Sequence, residues 1–187
     1  NYRGAGTIEF LYDVARDEFY FLEMTARIHV EHPVTEEVTG IDLIAEQIAI
    51  AAGEGLRFTQ DEIVLSGAAI ECRINAEDPS RDFMPSPGIV ADVEWPHGEG
   101  IRVDTHIVEG ASIPPYYDSM IAKVIAHGPD RATALEWLRR ALSATRIEGI
   151  ATNLAFQQRI LADPEFVAGG VDTGLLPRML EREKEAA

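Results

Sequence analysis

The sequence is poor in cysteine and in basic residues. Cys72 is the only cysteine, so the chain has neither an internal disulfide nor the thiol cluster of a zinc site, and we expect the reducing environment of the cytoplasm. Lys and Arg number 16 against 32 Asp and Glu, which gives a formal net charge of -16. Proteins bind phosphate backbones and anionic membranes mainly through Lys and Arg, so this charge argues against nucleic acid and membranes as partners.

Long apolar runs are missing too. No stretch approaches the about 18 consecutive apolar residues that a membrane-spanning helix needs. The first residues, Asn1-Tyr2-Arg3-Gly4, contain neither an initiator methionine nor the apolar segment of a signal peptide. We therefore expect a soluble piece of a longer protein, and its 187 residues can form one domain or two small ones.

What is present begins with a predicted β-hairpin. Ala5 to Tyr12 and Phe19 to Met24 are rich in aromatic and β-branched residues, and a polar connection separates them. A loop centred on Arg16 would place Glu9 opposite Glu23. We expect the other, apolar side of the hairpin to face a core, with Ile8, Phe10 and Tyr12 opposite Met24, Leu22 and Tyr20.

Facing carboxylates need an explanation, because like charges at opposite positions of a sheet repel. A Mg²⁺ ion would offset the repulsion, since it prefers carboxylate oxygens and is commonly shared with substrate phosphates. The alternative is an ordinary polar face on which Glu9 and Glu23 are both solvated. The pairing alone leaves both interpretations open.

The five residues that follow the hairpin alternate between polar and apolar, from Arg27 to Glu31. An extended strand would point Arg27, His29 and Glu31 to the same side, and Pro33 would end that strand. The arginine would bind an anion, and the neighbouring positive charge would keep Glu31 ionised as a general base. A surface ion pair is the alternative.

The remaining chain predicts further helices and strands. A turn of helix at Thr35 to Val38 is broken by Gly40, and a Gly-containing connection between 53 and 67 predicts a boundary between domains 1–66 and 67–187. The predicted strands are Ala69 to Asn75, Gly88 to Glu94, Ile101 to Val108 and Met120 to Ala126. The predicted helices are an Asp42-capped helix to Ala52 with Leu43, Ile44, Ile48 and Ala51 as its apolar face, an Asp130-capped helix from Arg131 to Ser143, and a Thr152-capped helix to Leu161; the charged tail from Glu181 should fray.

One of these strands combines an apolar face with a polar one. Glu71, Arg73 and Asn75 alternate with apolar residues, and period two places all three on the same side. A polar strand face is most often simply exposed to solvent, and the composition does not exclude that interpretation here.

Five stretches, taken in chain order, resemble one family, the biotin carboxylases, which are the ATP-grasp components of biotin-dependent carboxylases. The resemblance covers nearly the whole chain, from Tyr2 to about Gly170. It implies an α+β fold, with the end of an ATP-grasp domain, an antiparallel hairpin plus helices, in 1–66, and a biotin carboxylase C-terminal domain of antiparallel strands and packed helices in 67–187. The stretches are Gly4-Ala5-Gly6-Thr7-Ile8-Glu9-Phe10, Glu31-His32-Pro33-Val34-Thr35-Glu36, Ile70-Glu71-Cys72-Arg73-Ile74-Asn75-Ala76-Glu77-Asp78-Pro79, Pro85-Ser86-Pro87-Gly88 and Pro114-Pro115-Tyr116-Tyr117-Asp118-Ser119-Met120.

The resemblance also implies an activity and a role for each site residue. Biotin carboxylases use ATP and bicarbonate to make carboxyphosphate and then carboxylate N1 of biotin on a carrier protein. The resemblance implies that Glu31 is the base that deprotonates bicarbonate, and that Arg73 stabilises the enolate of biotin. It gives the binding residues as Glu9, Glu23 and Thr25 for Mg²⁺ or Mn²⁺, Glu9, Leu11 and Glu23 for ATP, and Arg27, His29 and the backbone of Val30 for bicarbonate.

Two positions depart from the family pattern. Thr25 stands where the family normally has Asn, near the metal, and His29 stands where it normally has Gln, near bicarbonate. Thr still offers an oxygen and His a hydrogen-bond donor, but histidine side chains change charge near neutral pH. The alternative interpretation is therefore a divergent, catalytically weak paralogue or a structural module that serves subunit contacts.

The resemblance further implies partners. The family's amino-terminal half, with the Gly-rich lid and the lysines that hold the ATP phosphates, would lie upstream of Asn1, so the isolated chain is expected to be inactive. Further partners are the biotin carboxyl carrier protein or domain, a carboxyltransferase component and a second copy in a homodimer. The final acceptor stays open among acetyl-CoA, as in fatty acid biosynthesis, propionyl-CoA, methylcrotonyl-CoA, pyruvate and urea.

Overall fold

The computed structural model describes residues 1–186, which form two compact units, Asn1–Ser66 and a second unit that begins at Gly67. Every paired strand is antiparallel, and helices accompany the strands in both units. The predicted α+β class is confirmed. Within the described residues, no helix combines the length and the apolar character that crossing a membrane requires.

The first unit consists of a hairpin, two helices and a short 3-10 turn. Their bounds are β1 Thr7–Asp13, β2 Glu18–Thr25, α1 His32–Thr39, α2 Leu43–Ala51 and the 3-10 turn Gln60–Glu62.

The hairpin follows the predicted register only as far as a β-bulge. Glu9 faces Glu23 and Ile8 faces Met24, as predicted. The register then shifts between Glu9 and Phe10, so Phe10 faces Phe21 instead of Leu22. Leu22 is thus the extra residue of a bulge in β2, which adds a local twist that a strict alternation cannot show.

Beyond the bulge, the shifted register also corrects the predicted Tyr12 and Tyr20 pair. Tyr12 faces Phe19, and the two rings stack with centroids 4.6 Å apart. The connecting turn begins with the Asp13 side chain, which accepts a hydrogen bond from Ala15 N, and Asp17 has a positive φ of 55°. Asp tolerates both roles, so the turn forms without glycine.

The prediction that one side of the hairpin is core is wrong for the described residues. The residues of that side are between 44% and 63% exposed, and Leu11 on the opposite side is 65% exposed. Side chains on both faces of the hairpin are therefore exposed. The exposed residues of the predicted core side are Ile8, Phe10, Tyr12, Tyr20, Leu22 and Met24.

The strand predicted from Arg27 to Glu31 does not form. β2 ends at Thr25, and Arg27 N donates to Thr25 O at 2.9 Å in a tight bend. Val30 and Glu31 then make a turn that leads into α1. Pro33, expected to stop a strand, instead occupies the first turn of the helix, where its missing N–H costs no hydrogen bond.

Helix α1 is longer than predicted and α2 buries a different face. Gly40 ends α1 in a left-handed conformation, and the Asp42 side chain caps α2 by accepting from Ala45 N at 2.8 Å. Ile48, expected in an apolar core-facing stripe, is 66% exposed, while Glu46 is buried and bonded to Arg57. The apolar face prediction is therefore wrong in this unit: Leu43 is half-buried, and Ile44, Ile48 and Ala51 are exposed.

The second unit is built on a three-stranded antiparallel sheet with helices against one face. The central strand, β10, pairs with β3 on one side and β8 on the other. The element bounds are β3 Ala68–Asn75, β4 Glu77–Asp78, β5 Met84–Pro85, β6 Gly88–Ile89, β7 Asp92–Glu94, β8 Ile101–Thr105, β9 Ser112–Ile113, β10 Met120–Gly128, α3 Arg131–Ala144, β11 Arg146–Glu148, α4 Leu154–Ala162, α5 Pro164–Ala168 and α6 Leu175–Ala186.

Helix α3 packs on this sheet as its spacing predicts. Asp130 caps it by accepting from Thr133 N at 2.8 Å. The predicted face is buried because residues three and four apart share one side of a helix. Its members are Ala134, Leu135, Leu138 and Leu142. The three leucines meet Cys72, Ile74 and Val124 of the sheet in one core. Burial raises the pKa of the Cys72 thiol to about 12, so this cysteine is a protonated packing residue.

Four local predictions in this unit need correction. The strand expected from Gly88 to Glu94 is two strands, because β6 pairs with β9 while β7 pairs with β11. The strand expected from Ile101 ends at Thr105, and α4 begins after Asn153. The tail does not fray from Glu181, since α6 continues and the Arg159 guanidinium binds Glu183.

Candidate active-site residues

The hairpin brings the predicted metal and nucleotide residues to one face. Glu9 and Glu23 are Cα partners, next to the bulge. Successive side chains of a strand alternate between faces, so Leu11 lies on the side of Glu9 and Thr25 on the side of Glu23. Glu9 is half-buried and Glu23 is exposed.

This face offers hard oxygen donors without forming a complete metal cage. The part of the chain that the structure describes contains no group of three or more His, Cys, Asp or Glu residues that could hold a metal ion. Mg²⁺ usually takes only one or two carboxylates from a protein and completes its shell with water and phosphate oxygens. The pair of Glu9 and Glu23, with the Thr25 hydroxyl nearby in sequence, fits that mode of binding.

The bend after β2 holds the second group of predicted residues. The Arg27 side chain is exposed, and its Nη1 donates to Ile28 O at 3.2 Å. His29 Nδ1 lies 3.4 Å from Glu31 Oε1. The His29 side chain is 16% exposed, and its Nε2 is buried with no hydrogen-bond partner among residues 1–186.

Glu31 stands at the amino-terminal end of α1. Val34 N donates to Glu31 O at 3.1 Å, while the Glu31 side chain makes no cap and is 53% exposed. Backbone N–H groups at a helix start carry a partial positive charge, which favours a bound anion. The bend therefore places a guanidinium, a buried ring nitrogen, a helix start and an exposed carboxylate close together in the chain.

Glu36 supports this segment, and sequence reasoning missed its role. Its carboxylate is buried, lies 3.0 Å from His32 Nδ1 and accepts a hydrogen bond from Leu43 N at 2.9 Å. One side chain thus ties the start of α1, where Glu31 lies, to the start of α2. The spacing of four residues between His32 and Glu36 was the available signal, since such residues are neighbours on a helix.

Arg73 belongs to the second unit, and its surroundings are described within that unit. It lies in β3 opposite Lys123 of β10, its side chain is 48% exposed, and its Nε is 3.9 Å from Glu71 Oε1. The Glu71 side chain is only 4% exposed, so the polar face of β3 is not a simple solvent face. Two residues that sequence reasoning missed, Asn153 and Gln157, bind the Arg73 carbonyl.

Family models match both units. The model of the biotin carboxylase C-terminal domain matches residues 71–178. The model of the ATP binding domain of the carbamoyl-phosphate synthase L chain matches residues 1–59.

Individual relatives are similar over almost the whole chain. A biotin carboxylase of Nostoc sp. is 56% identical over 179 residues, which are 96% of this chain and 40% of that protein. The biotin carboxylase of Haemophilus influenzae is 51% identical over 179 residues, which are 96% of this chain and 39% of that protein. A pyruvate carboxylase component of Methanothermobacter thermautotrophicus is 50% identical over 172 residues, or 92% of this chain and 35% of that protein. The chain thus spans about 40% of the length of the curated relatives that it matches.

A solved structure shares the same fold. It is the dimer of the biotin carboxylase domain of Hydrogenobacter thermophilus 2-oxoglutarate carboxylase, in complex with MgADP, ADP and bicarbonate. The TM-score is 0.90 at 45% identity, over 94% of this chain and 38% of that one.

The facing carboxylates lead to a prediction about hairpin stability. In EDTA, Glu23→Gln should slow hydrogen exchange of the β1 and β2 amides by up to about fivefold, because removing one charge removes a cross-strand repulsion of about 0.2 to 1 kcal/mol. Hydrogen exchange followed by mass spectrometry measures this. Glu109→Gln makes the same change of net charge at an exposed loop position and should leave the hairpin unchanged. Faster exchange in Glu23→Gln would mean that the two carboxylates do not repel.

Proposed function

Because the chain belongs to the biotin carboxylase family, we propose that it is the carboxy-terminal part of a biotin carboxylase, a ligase that uses ATP and bicarbonate to carboxylate biotin on a carrier protein. Residues 1–66 are the end of its ATP-grasp domain, and the residues from 67 onward are its C-terminal domain. The observation that carries this proposal is the clustering in one short segment of facing carboxylates and an anion-binding bend, in a chain 56% identical to a biotin carboxylase.

Glu9 and Glu23 hold Mg²⁺ or Mn²⁺ in this proposal. Their carboxylates suit a hard divalent cation, and the Thr25 hydroxyl adds a neutral oxygen. Leu11 lies on the same face and contacts the nucleotide. When bound, the cation neutralises the negative charge of the ATP phosphates, which is the main requirement of phosphoryl transfer. The magnesium nucleotide in the 2-oxoglutarate carboxylase domain supports this assignment.

Arg27, His29 and Val30 bind bicarbonate. The guanidinium supplies a fixed positive charge, the buried Nε2 of His29 supplies a hydrogen bond, and the backbone at Val30 lies next to the start of α1. All three features favour an anion over a neutral ligand. The bicarbonate in the same solved structure is consistent with this site.

Glu31 is the general base. Its exposed carboxylate takes the proton from bicarbonate, and the resulting oxygen attacks the γ-phosphorus of ATP. The new O–P bond forms as the bond to the β-phosphate oxygen breaks, which yields carboxyphosphate and ADP. Arg27 lies four residues away and stabilises the negative charge that develops.

Arg73 acts in the second half of the reaction. The C–O bond between the carboxyl group and the phosphate of carboxyphosphate breaks, and the departing phosphate takes the proton from N1 of biotin. The ureido oxygen of biotin becomes negatively charged, and N1 forms the new C–N bond to the carboxyl carbon. A guanidinium stabilises such an enolate by charge-assisted hydrogen bonds. The half-exposed Arg73 side chain on β3 is suited to this role.

The exposed hairpin supports an amino-terminal half as a partner. Phe10, Phe19 and Phe21 on one face and Leu11 on the other are exposed, and exposed apolar surfaces of this kind mark binding interfaces. The proposed activity requires a biotin carrier and a carboxyltransferase component. The dimer of the 2-oxoglutarate carboxylase domain supports a homodimer, and the proposed location is the cytoplasm. The acceptor stays open, since one relative belongs to a pyruvate carboxylase and one solved structure comes from a 2-oxoglutarate carboxylase.

A second candidate is a catalytically weak paralogue that keeps the fold for subunit contacts. Thr25 and His29 favour it, because both lie in the proposed site and replace the residues usual in the family. Thr cannot match the reach of an Asn side chain, and a histidine differs from an amide in charge and shape.

The proposed base gives the direct test. In the longer native protein that contains this chain, Glu31→Ala should lower bicarbonate-dependent ATP cleavage at least about 100-fold, as loss of a general base does. ADP release with and without bicarbonate measures it. Glu54→Ala removes an exposed carboxylate of the same unit and should retain the parent rate. Equal rates for parent and Glu31→Ala would exclude Glu31 as the base.

The isolated 187-residue chain should not cleave ATP. The resemblance assigns the lid and the phosphate-binding lysines to the amino-terminal half, and without them the nucleotide has only part of its site. The same ADP assay on the purified chain, with Mg²⁺ and bicarbonate, measures this. A bicarbonate-dependent signal that disappears in Glu31→Ala would contradict the prediction.

The two departures can be tested together. If the second candidate is right, Thr25→Asn combined with His29→Gln in the longer protein should raise biotin-dependent ATP cleavage about tenfold or more, since both changes restore the family pattern. If the first is right, the rate should stay within about threefold of the parent. Steady-state assays with free biotin distinguish the outcomes, and each single change separates the metal residue from the bicarbonate residue.

A further inference from the structure

The outer edge of β3 at Arg73 is covered by a helix start instead of a strand. β3 is an edge strand of the sheet, since it pairs only with β10 among the described elements. The backbone groups of Arg73 and Asn75 that point away from β10 therefore need partners from outside the sheet. The start of α4 supplies these partners, through Asn153 and Gln157.

The Asn153 amide takes the place of a peptide unit of a neighbouring strand. Its Oδ1 accepts from Asn75 N at 2.9 Å, and its Nδ2 donates to Arg73 O at 3.1 Å. Its own backbone N–H donates to Asn75 O, also at 3.1 Å. The Asn153 side chain is buried, so these bonds form out of competition with water.

Gln157, one helical turn later, completes the set. Its Nε2 donates to Arg73 O at 3.1 Å, so the Arg73 carbonyl accepts two amide N–H groups. A carbonyl oxygen has two acceptor sites, and both are thereby used.

We infer that Asn153 and Gln157 are positioning residues for Arg73, an inference that rests on the proposed function. Cys72 and Ile74 are buried and fix the inner face of β3, while the two amides fix its outer edge at the same point. The Arg73 Cα–Cβ bond is thus held from both directions. A site must be held within about 10–20° of its working geometry, and a displacement of about 1 Å can cost about 100-fold in rate.

The competing explanation is a purely structural role, in which the two amides only dock α4 on the sheet. Gln158, the residue after Gln157 in α4, allows the two explanations to be distinguished. Gln158 is also half-buried, and its Nε2 donates to a backbone carbonyl, Leu142 O, at 3.0 Å. Gln158 therefore has the same side chain as Gln157 and lies in the same helix, but it binds α3 instead of β3. Removing either amide removes one helix-docking bond, and only the change at Gln157 affects Arg73.

The test compares Gln157→Leu with Gln158→Leu in the longer native protein. Leu keeps the approximate size of Gln and removes the donor. The readout is the ratio of biotin-dependent to biotin-independent, bicarbonate-dependent ATP cleavage, because the first uses Arg73 and the second does not. We expect Gln157→Leu to lower this ratio about tenfold through kcat, and Gln158→Leu to leave it unchanged. Gln157→Lys, which restores an N–H donor, should recover at least half of the parent ratio.

Each outcome decides a different point. Equal ratios in the parent and both Leu variants would overturn the inference while the proposed function stands. A parent protein without bicarbonate-dependent ATP cleavage would overturn the proposed function and the inference with it. Asn153→Asp keeps the acceptor for Asn75 N and removes the donor to Arg73 O, so the folded variant should also lower the ratio. If Asn153→Asp does not fold, the comparison of Gln157→Leu with Gln158→Leu still decides the question.

Discussion

Both units depend on buried polar side chains that bind the backbone ends of neighbouring elements. A buried carboxylate or amide must be hydrogen-bonded, because leaving it unpaired costs about 1 to 3 kcal/mol or more. Glu36 meets this requirement at the start of α2, Asn153 at the edge of β3, and Asp163 at the start of α5, where it also binds Arg182 of α6. Each such side chain fixes one element against another.

The proposed catalytic residues stand next to these links. Glu31 immediately precedes α1, whose first turn is bound through His32 and Glu36, and Arg73 lies in the strand segment that Asn153 holds. The reactive groups themselves are more exposed: the Glu31 side chain by 53% and the Arg73 side chain by 48%. Rigid backbone with exposed functional ends is the arrangement that a site needs in order to bind substrates without reorganising.

Local patterns predicted much of this from the sequence. The Asp130 and Asp42 caps and the buried face of α3 depend on residues close in the chain, and the sequence contains them all. The Glu9 and Glu23 pair was also predicted, although the pairs next to the turn, such as Asp13 with Glu18, are offset by one residue and the bulge restores the predicted register. The strict alternation of β2 gave no sign that Leu22 is an extra residue. The bend at Arg27 was mistaken for a strand, since alternation over five residues does not distinguish a bend from a strand. Asn153 binds residues nearly 80 positions away, which no local pattern encodes.

The hairpin shows why the rest of the prediction failed. The prediction that one side of the hairpin faces a core assumed that each strand has a single buried face. Apolar residues occupy both faces of β1 and β2, with Phe10 on one face and Leu11 on the other. Strands that are apolar on both faces are typical of sheets covered on both sides. A lone two-stranded hairpin is at best marginally stable, so covering its faces would give Glu9 and Glu23 a fixed geometry. The carboxylate pair and the apolar faces are therefore linked, because a surface that covered the apolar faces would also fix the positions of the two proposed metal residues.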